Sequence, residues 1–77
     1  MNYDLAVMAL DGLVRGPIEV RVAEDGVTIE GSAASMKDLA RLCLLIAGDP
    51  DGDEAIELVP GTHVTCESPA LRVKVKA

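Results

Sequence analysis

Residues 18–30 read IEVRVAEDGVTIE and alternate aliphatic with charged or polar side chains on both sides of a short acidic turn. Alternation with period two puts the aliphatic side chains on one face of a strand and the charged ones on the other. Gly26 supplies the positive φ that a tight hairpin turn requires. We therefore predict a β-hairpin over residues 18–31 with one apolar face and one solvated face.

Residues 1–15, before the hairpin, have the periodicity of a helix. Apolar side chains recur at i, i+3, i+4, i+7 and i+11, which is one face of a 3.6-residue period. The stripe predicted to face the core consists of Tyr3, Ala6, Val7, Leu10 and Val14. Gly16-Pro17 ends this predicted helix.

Residues 32–48, after the hairpin, predict a second and longer helix. Ser32 or Ser35 is suited to its N-cap, and Gly48 to its C-terminal end. The predicted core-facing stripe consists of Met36, Leu39, Ala40, Cys43, Ile46 and Ala47.

Two further strands are predicted within residues 54–77, at 54–59 and 71–77. The order is then α-β-β-α-β-β in a single domain over residues 1–77. Because the charged strand faces should be solvated, both helices are expected on the opposite face. We therefore predict an α+β two-layer sandwich, with a mainly antiparallel four-stranded sheet and two helices on one face.

Composition excludes several classes of partner. The chain has 77 residues, a net charge of −6, one Tyr and no Phe or Trp. Nucleic-acid binding is not expected, because the acidic chain lacks the excess of basic side chains that neutralises phosphates and the aromatic side chains that stack on bases. No apolar run approaches the ~20 residues that span a bilayer, so we expect no membrane association and no signal peptide. The two cysteines form no CxxC motif, and reduced thiols in a cytoplasmic protein are predicted.

No residue cluster predicts a cofactor, a metal site or an enzyme. The acidic run from Asp49 begins like a calcium loop, but Glu54 and Pro60 hold the places where Gly and Glu are needed. His63 and Cys66 supply two ligands, and a zinc site needs at least three. As a catalytic Cys–His pair they would need a third group to orient the base, and the sequence places none.

The last predicted strand presents three basic side chains on one face, Arg72, Lys74 and Lys76. They form either a patch for anions or acidic partners, or cross-strand pairs with Glu19, Glu30 or Glu57. We favour the pairs, since opposite charges occur at matching alternation.

The helices carry more aliphatic surface than a domain of this length should enclose. The surplus residues form a predicted oligomer interface: Leu5, Met8, Leu42, Leu44 and Leu45. Packing of the two helices on each other is the alternative, and the sequence leaves both open.

A resemblance extends over about residues 18–76. The stretches that carry it are IEVRVAEDGVTIEGS, SMKDLARLCLLIA, AIELVPG and ESPALRVKV. In this order they resemble small predicted immunity proteins of bacterial polymorphic toxin systems. The resemblance implies a cytoplasmic, non-enzymatic protein that binds and blocks a toxin made by the same cell.

Two functional hypotheses follow. The first is a protein-binding module, an immunity-like inhibitor that masks a cognate toxin. Its partner-binding residues would be acidic, because negative charge speeds association with a basic cleft; they are Asp49, Asp51, Asp53, Glu54 and Glu67. The second is a small structural or regulatory homodimer with an aliphatic helical interface.

Overall fold

The computed structural model describes residues 2–48 and 55–76. Two helices and four strands follow in the order α1 (Tyr3–Arg15), β1 (Glu19–Ala23), β2 (Gly26–Glu30), α2 (Ala33–Ala47), β3 (Ala55–Leu58) and β4 (Leu71–Lys74). The α+β class is confirmed.

The single four-stranded sheet is not what the described residues form. They contain two separate antiparallel sheets of two strands, β1 with β2 and β3 with β4. The free edge of β1 is approached by the loop before β4 instead of a third strand. The Ile18 N–H donates to the His63 carbonyl at 3.1 Å, and the Thr65 N–H donates to the Ile18 carbonyl at 2.9 Å. Two residues further along β1, the Val20 N–H donates to Ser68 Oγ at 2.9 Å. The loop thus takes hydrogen-bonding groups that a third strand would need.

Helix α1 buries only part of its predicted stripe: Ala6 is buried and Leu10 packs against the core. Its buried side chains are Ala6, Ala9 and Leu13, whereas Tyr3, Val7 and Val14 are largely exposed. Small side chains face α2 here: a Cβ at Gly12 would overlap the Asp38 carboxylate. Close approach of the helices rotates α1 onto this small-residue face.

Helix α2 also buries only part of its predicted stripe: Ile46 is buried and Leu39 packs against the core, whereas the other predicted members are exposed, namely Met36, Ala40, Cys43 and Ala47. Leu42 and Ile46 are buried with Ser35, while Cys43, predicted in the core, is exposed. The buried Ser35 hydroxyl has a partner, because it donates to the Gly16 carbonyl at 2.6 Å. This bond ties the start of α2 to the end of α1.

The start of α2 is fixed by Ser32, the N-cap, whose hydroxyl accepts from the Ser35 N–H at 3.1 Å. Ser32→Ala is expected to lower the free energy of unfolding by about 1 kcal/mol, because an N-terminal N–H loses its partner. Urea denaturation measures the change. Ser32→Asp is the matched control, since aspartate keeps a side-chain oxygen that can accept from the Ser35 N–H. An unchanged midpoint in Ser32→Ala would contradict the assigned cap.

The β1–β2 hairpin extends beyond the core. Its aliphatic side chains share one face, as predicted, but exposure rises from 5% at Val20 to 37% at Ile29, 62% at Val27 and 68% at Val22. Gly26 at the turn has a φ of +154°. The core therefore covers only the base of the hairpin and leaves the tip uncovered.

The β3–β4 sheet closes the core from the other side. Ile56 and Leu58 are buried, and Val73 and Leu71 opposite them pack against the core. Among residues 2–48 and 55–76, the buried apolar side chains are Ala6, Ala9, Leu13, Ile18, Val20, Leu42, Ile46, Ile56, Leu58 and Val64.

Candidate functional site

A groove of 620 Å³ runs along one side of the antiparallel helix pair. Its lining residues are Leu5, Met8, Ala9, Gly12 and Arg15 of α1, and Asp38, Arg41, Leu44 and Leu45 of α2. Both helices contribute side chains, so the groove exists only when the pair is packed.

One end of the groove is apolar. Leu5, Met8 and Leu44 are 50%, 67% and 73% exposed. Leu45 is half-buried and packs against the core below them. Large aliphatic side chains that share a concave surface and remain exposed are typical of a protein interaction site.

The other end of the groove is charged. Arg41 donates to the Asp38 carboxylate at 2.7 Å, and Arg15 lies on the same lining. The Asp38 side chain is 16% exposed and that of Arg41 61%. Asp38 thus holds one arginine in place, and Arg15 has no ion pair with another described residue. This end favours a carboxylate on whatever occupies the groove.

Four of the five predicted interface residues line this one groove. Leu42 does not: it is fully buried in the core, so its assignment to the surface was wrong. It lies on the face of α2 that carries Ser35 and Ile46, because α2 turns that face towards α1 and the sheets. The charged end, formed by Arg15, Asp38 and Arg41, was not predicted from the sequence.

The predicted acidic site is not gathered in the described part of the chain. Asp49, Asp51, Asp53 and Glu54 lie outside the described residues. Glu67 is exposed and lines a second groove, of 650 Å³, between the free edge of β1 and residues 65–69. It is not among the residues that line the helix groove.

The three basic residues predicted on the last strand are exposed and form no ion pair with the described acidic residues; Arg72 and Lys74 lie on β4, and Lys76 follows its end. Glu57 lies opposite Arg72 in the register, without a salt bridge. Glu19 and Glu30 instead contact Arg21, at 3.3 Å and 3.0 Å. The hydrogen bond to Glu30, with the charges of both carboxylates, raises the pKa of Arg21. The cross-strand pairs that we favoured are therefore absent among the described residues.

His63 belongs to a turn. Its Nδ1 accepts from the Val59 N–H at 3.1 Å, and its carbonyl accepts from the Ile18 N–H. Its acceptor nitrogen is thus engaged within the loop. Over residues 2–48 and 55–76, no group of three His, Cys, Asp or Glu side chains is arranged to hold a metal ion.

Neither described helix is long and apolar enough to cross a membrane. Comparison with protein-family models, with curated proteins and with solved structures finds no match for this chain.

Proposed function

We propose that this chain is a non-enzymatic protein-binding module, an immunity-like inhibitor that masks a cognate toxin in the cytoplasm. The observation that carries the proposal is the helix groove, with Leu5, Met8 and Leu44 half or more exposed around one concavity. An inhibitor that masks a toxin must bind it tightly and block its active surface sterically. It needs no catalytic group of its own.

The groove has the two kinds of contact on which protein interfaces depend. Burying a large aliphatic side chain contributes about 1.5–3 kcal/mol, so three of them can anchor a partner. Arg15 and Arg41 at the other end would orient an acidic group and reject a basic one. The partner segment that fits is an amphipathic helix or a loop with apolar anchors and a carboxylate at one end.

The acidic residues remain part of the proposal for association kinetics. The net charge of −6 favours encounter with a basic protein such as a nuclease. Asp49, Asp51, Asp53, Glu54 and Glu67 are the proposed contacts for that encounter. Their effect should fall as salt rises, whereas the apolar contact in the groove should not weaken.

A survival assay tests the function. The open reading frame adjacent to the gene for this chain is expressed in a test bacterium with and without the chain, and colonies are counted. We expect the neighbour to kill and this chain to rescue. A harmless neighbour, or one that kills regardless, would contradict the immunity function.

The same assay tests the groove. Leu44→Asp is expected to abolish rescue without unfolding the chain, because Leu44 is exposed and the loss of an anchor costs about 2 kcal/mol or more. Val7→Asp is the matched control: Val7 is also an exposed aliphatic residue of a helix, and it does not line the groove. Equal rescue by both variants would remove the groove from the binding surface.

The homodimer hypothesis gives a different result with the same variants. If a second copy occupies the groove, the wild-type chain self-associates. The Leu44→Asp variant is then monomeric, whereas the Val7→Asp variant still self-associates. Light scattering over a concentration series measures this.

A further inference from the structure

We infer that β2 is a self-complementary edge strand and that a second copy of this chain pairs with it, antiparallel and about Thr28. This surface differs from the helix groove and does not depend on it. Four features of the hairpin carry the inference: its open edge, its sequence symmetry, its uncovered tip and its charge.

The backbone at the outer edge of β2 is available for pairing. The Val20 N–H points away from β2, because it donates to Ser68 Oγ. Inward and outward groups alternate along antiparallel strands, so Arg21 and its register partner Thr28 bond to each other. Val27 and Ile29 therefore direct their N–H and C=O groups outward, where β2 pairs with no other described strand.

This edge lacks the devices that prevent pairing. Natural edge strands are protected by Lys, Pro, bulges or a covering element. The sequence of β2, GVTIE, has neither Lys nor Pro, and all five of its residues are exposed.

The strand matches itself when it is turned around. With Thr28 opposite the partner's Thr28, Val27 meets the partner's Ile29, and Ile29 meets the partner's Val27. Both residues of each Val–Ile pair present outward backbone groups, so each pair exchanges two hydrogen bonds. Glu30 falls opposite the partner's Gly26, and no like charges are directly opposed.

The two-fold arrangement also covers the tip. Antiparallel pairing sets the tip of one hairpin beside the base of the other, with the aliphatic side chains of both on the same face. Val27, which its own core does not reach, then lies opposite the partner's Ile29, near the part of the partner where its core begins, and Val22 lies one strand further out on the same face. Pairing with a second copy would explain why the aliphatic face of the hairpin extends beyond the core of its own chain.

The charges agree with this register. Gly26 is opposite the partner's Glu30, so the acidic turn Glu24-Asp25, which lies outside the strand register, comes near the partner's Gly31 and the partner's Ser32 at the start of the partner's α2. The first turn of α2 has no acidic residue of its own. The partial positive charge of a helix N-terminus favours carboxylates there.

Amide hydrogen exchange on the intact chain tests the pairing without a substitution. As the protein concentration rises through the range in which sedimentation detects a dimer, exchange at Val27 and Ile29 is expected to slow. Thr28, whose N–H already bonds to Arg21, is the internal control and should change little. A chain that stays monomeric, or a dimer that leaves Val27 and Ile29 unprotected, would overturn the proposal.

Charge variants at Thr28 test the two-fold axis. Thr28→Lys and Thr28→Glu each bring like charges together at the axis, and each alone is expected to dimerise several-fold more weakly than the wild type. An equimolar mixture should recover a mixed dimer. Circular dichroism confirms that each variant is folded. Variants that dimerise alone as well as in the mixture would exclude pairing about Thr28. A dimer lost in Leu44→Asp, with Val27 exchange unaltered, would assign self-association to the helix groove.

Discussion

Leu42→Ala is expected to lower the free energy of unfolding by about 3 kcal/mol, whereas Leu44→Ala should change it by less than about 0.5 kcal/mol. The two leucines are two positions apart on α2 and have the same chemistry. Leu42 is fully buried and Leu44 is 73% exposed. Truncating Leu42 removes buried methyl groups and leaves a cavity in the core, while truncating Leu44 removes surface already in contact with water.

Urea unfolding of both variants, with the same slope assumed for each, measures the difference. The result matters for function, because both residues were predicted in one interface. If the Leu44 variant were the less stable of the two, α2 would have to be rotated, and the helix groove would lose its apolar end. A large loss in Leu42→Ala alone supports the orientation on which the groove depends.

Local patterns in the sequence were sufficient for the hairpin and for the presence of both helices. Strand alternation is a short-range property, and the register from Glu19 to Glu30 follows once the turn is located. The orientation of α1 was not predictable in this way. Apolar side chains surround most of α1, so counting them selected the stripe with Tyr3 and Val14 over the face that carries Ala9 and Leu13. Close packing against α2 favours small side chains, and the partner of a helix is not visible in its own sequence.

The prediction of a single four-stranded sheet was wrong for a related reason. Four amphipathic strands suggested one sheet, but hydrogen bonds of the loop with β1 prevailed. Surplus aliphatic residues predicted an oligomer interface, and four of its five residues line the helix groove. The interface itself stays a prediction. Arg15 and Asp38 could not be assigned to the groove, because they come together only through the crossing of the helices.

Ser68→Ala is expected to lower the free energy of unfolding by about 2 kcal/mol, a large effect for the loss of one oxygen atom. Ser68 is 6% exposed, and its hydroxyl accepts from the Val20 N–H at 2.9 Å. Alanine leaves that N–H without its partner beside a buried residue, and such a group retains its desolvation cost. The sequence indicated only a turn at Ser68-Pro69.

Thr65→Val separates this bond from its neighbour. Thr65 Oγ1 shares a 2.6 Å hydrogen bond with Ser68 Oγ, and valine removes it while leaving Ser68 able to accept from Val20. We expect Thr65→Val to cost less than Ser68→Ala, and the double variant to cost less than the sum, because the two hydroxyls form one network. Equal costs for the single variants would mean that the Val20 bond contributes nothing of its own. The greater cost of Ser68→Ala would identify this hydroxyl as the group that keeps β1 joined to the loop, in the position where one sheet would have required a third strand.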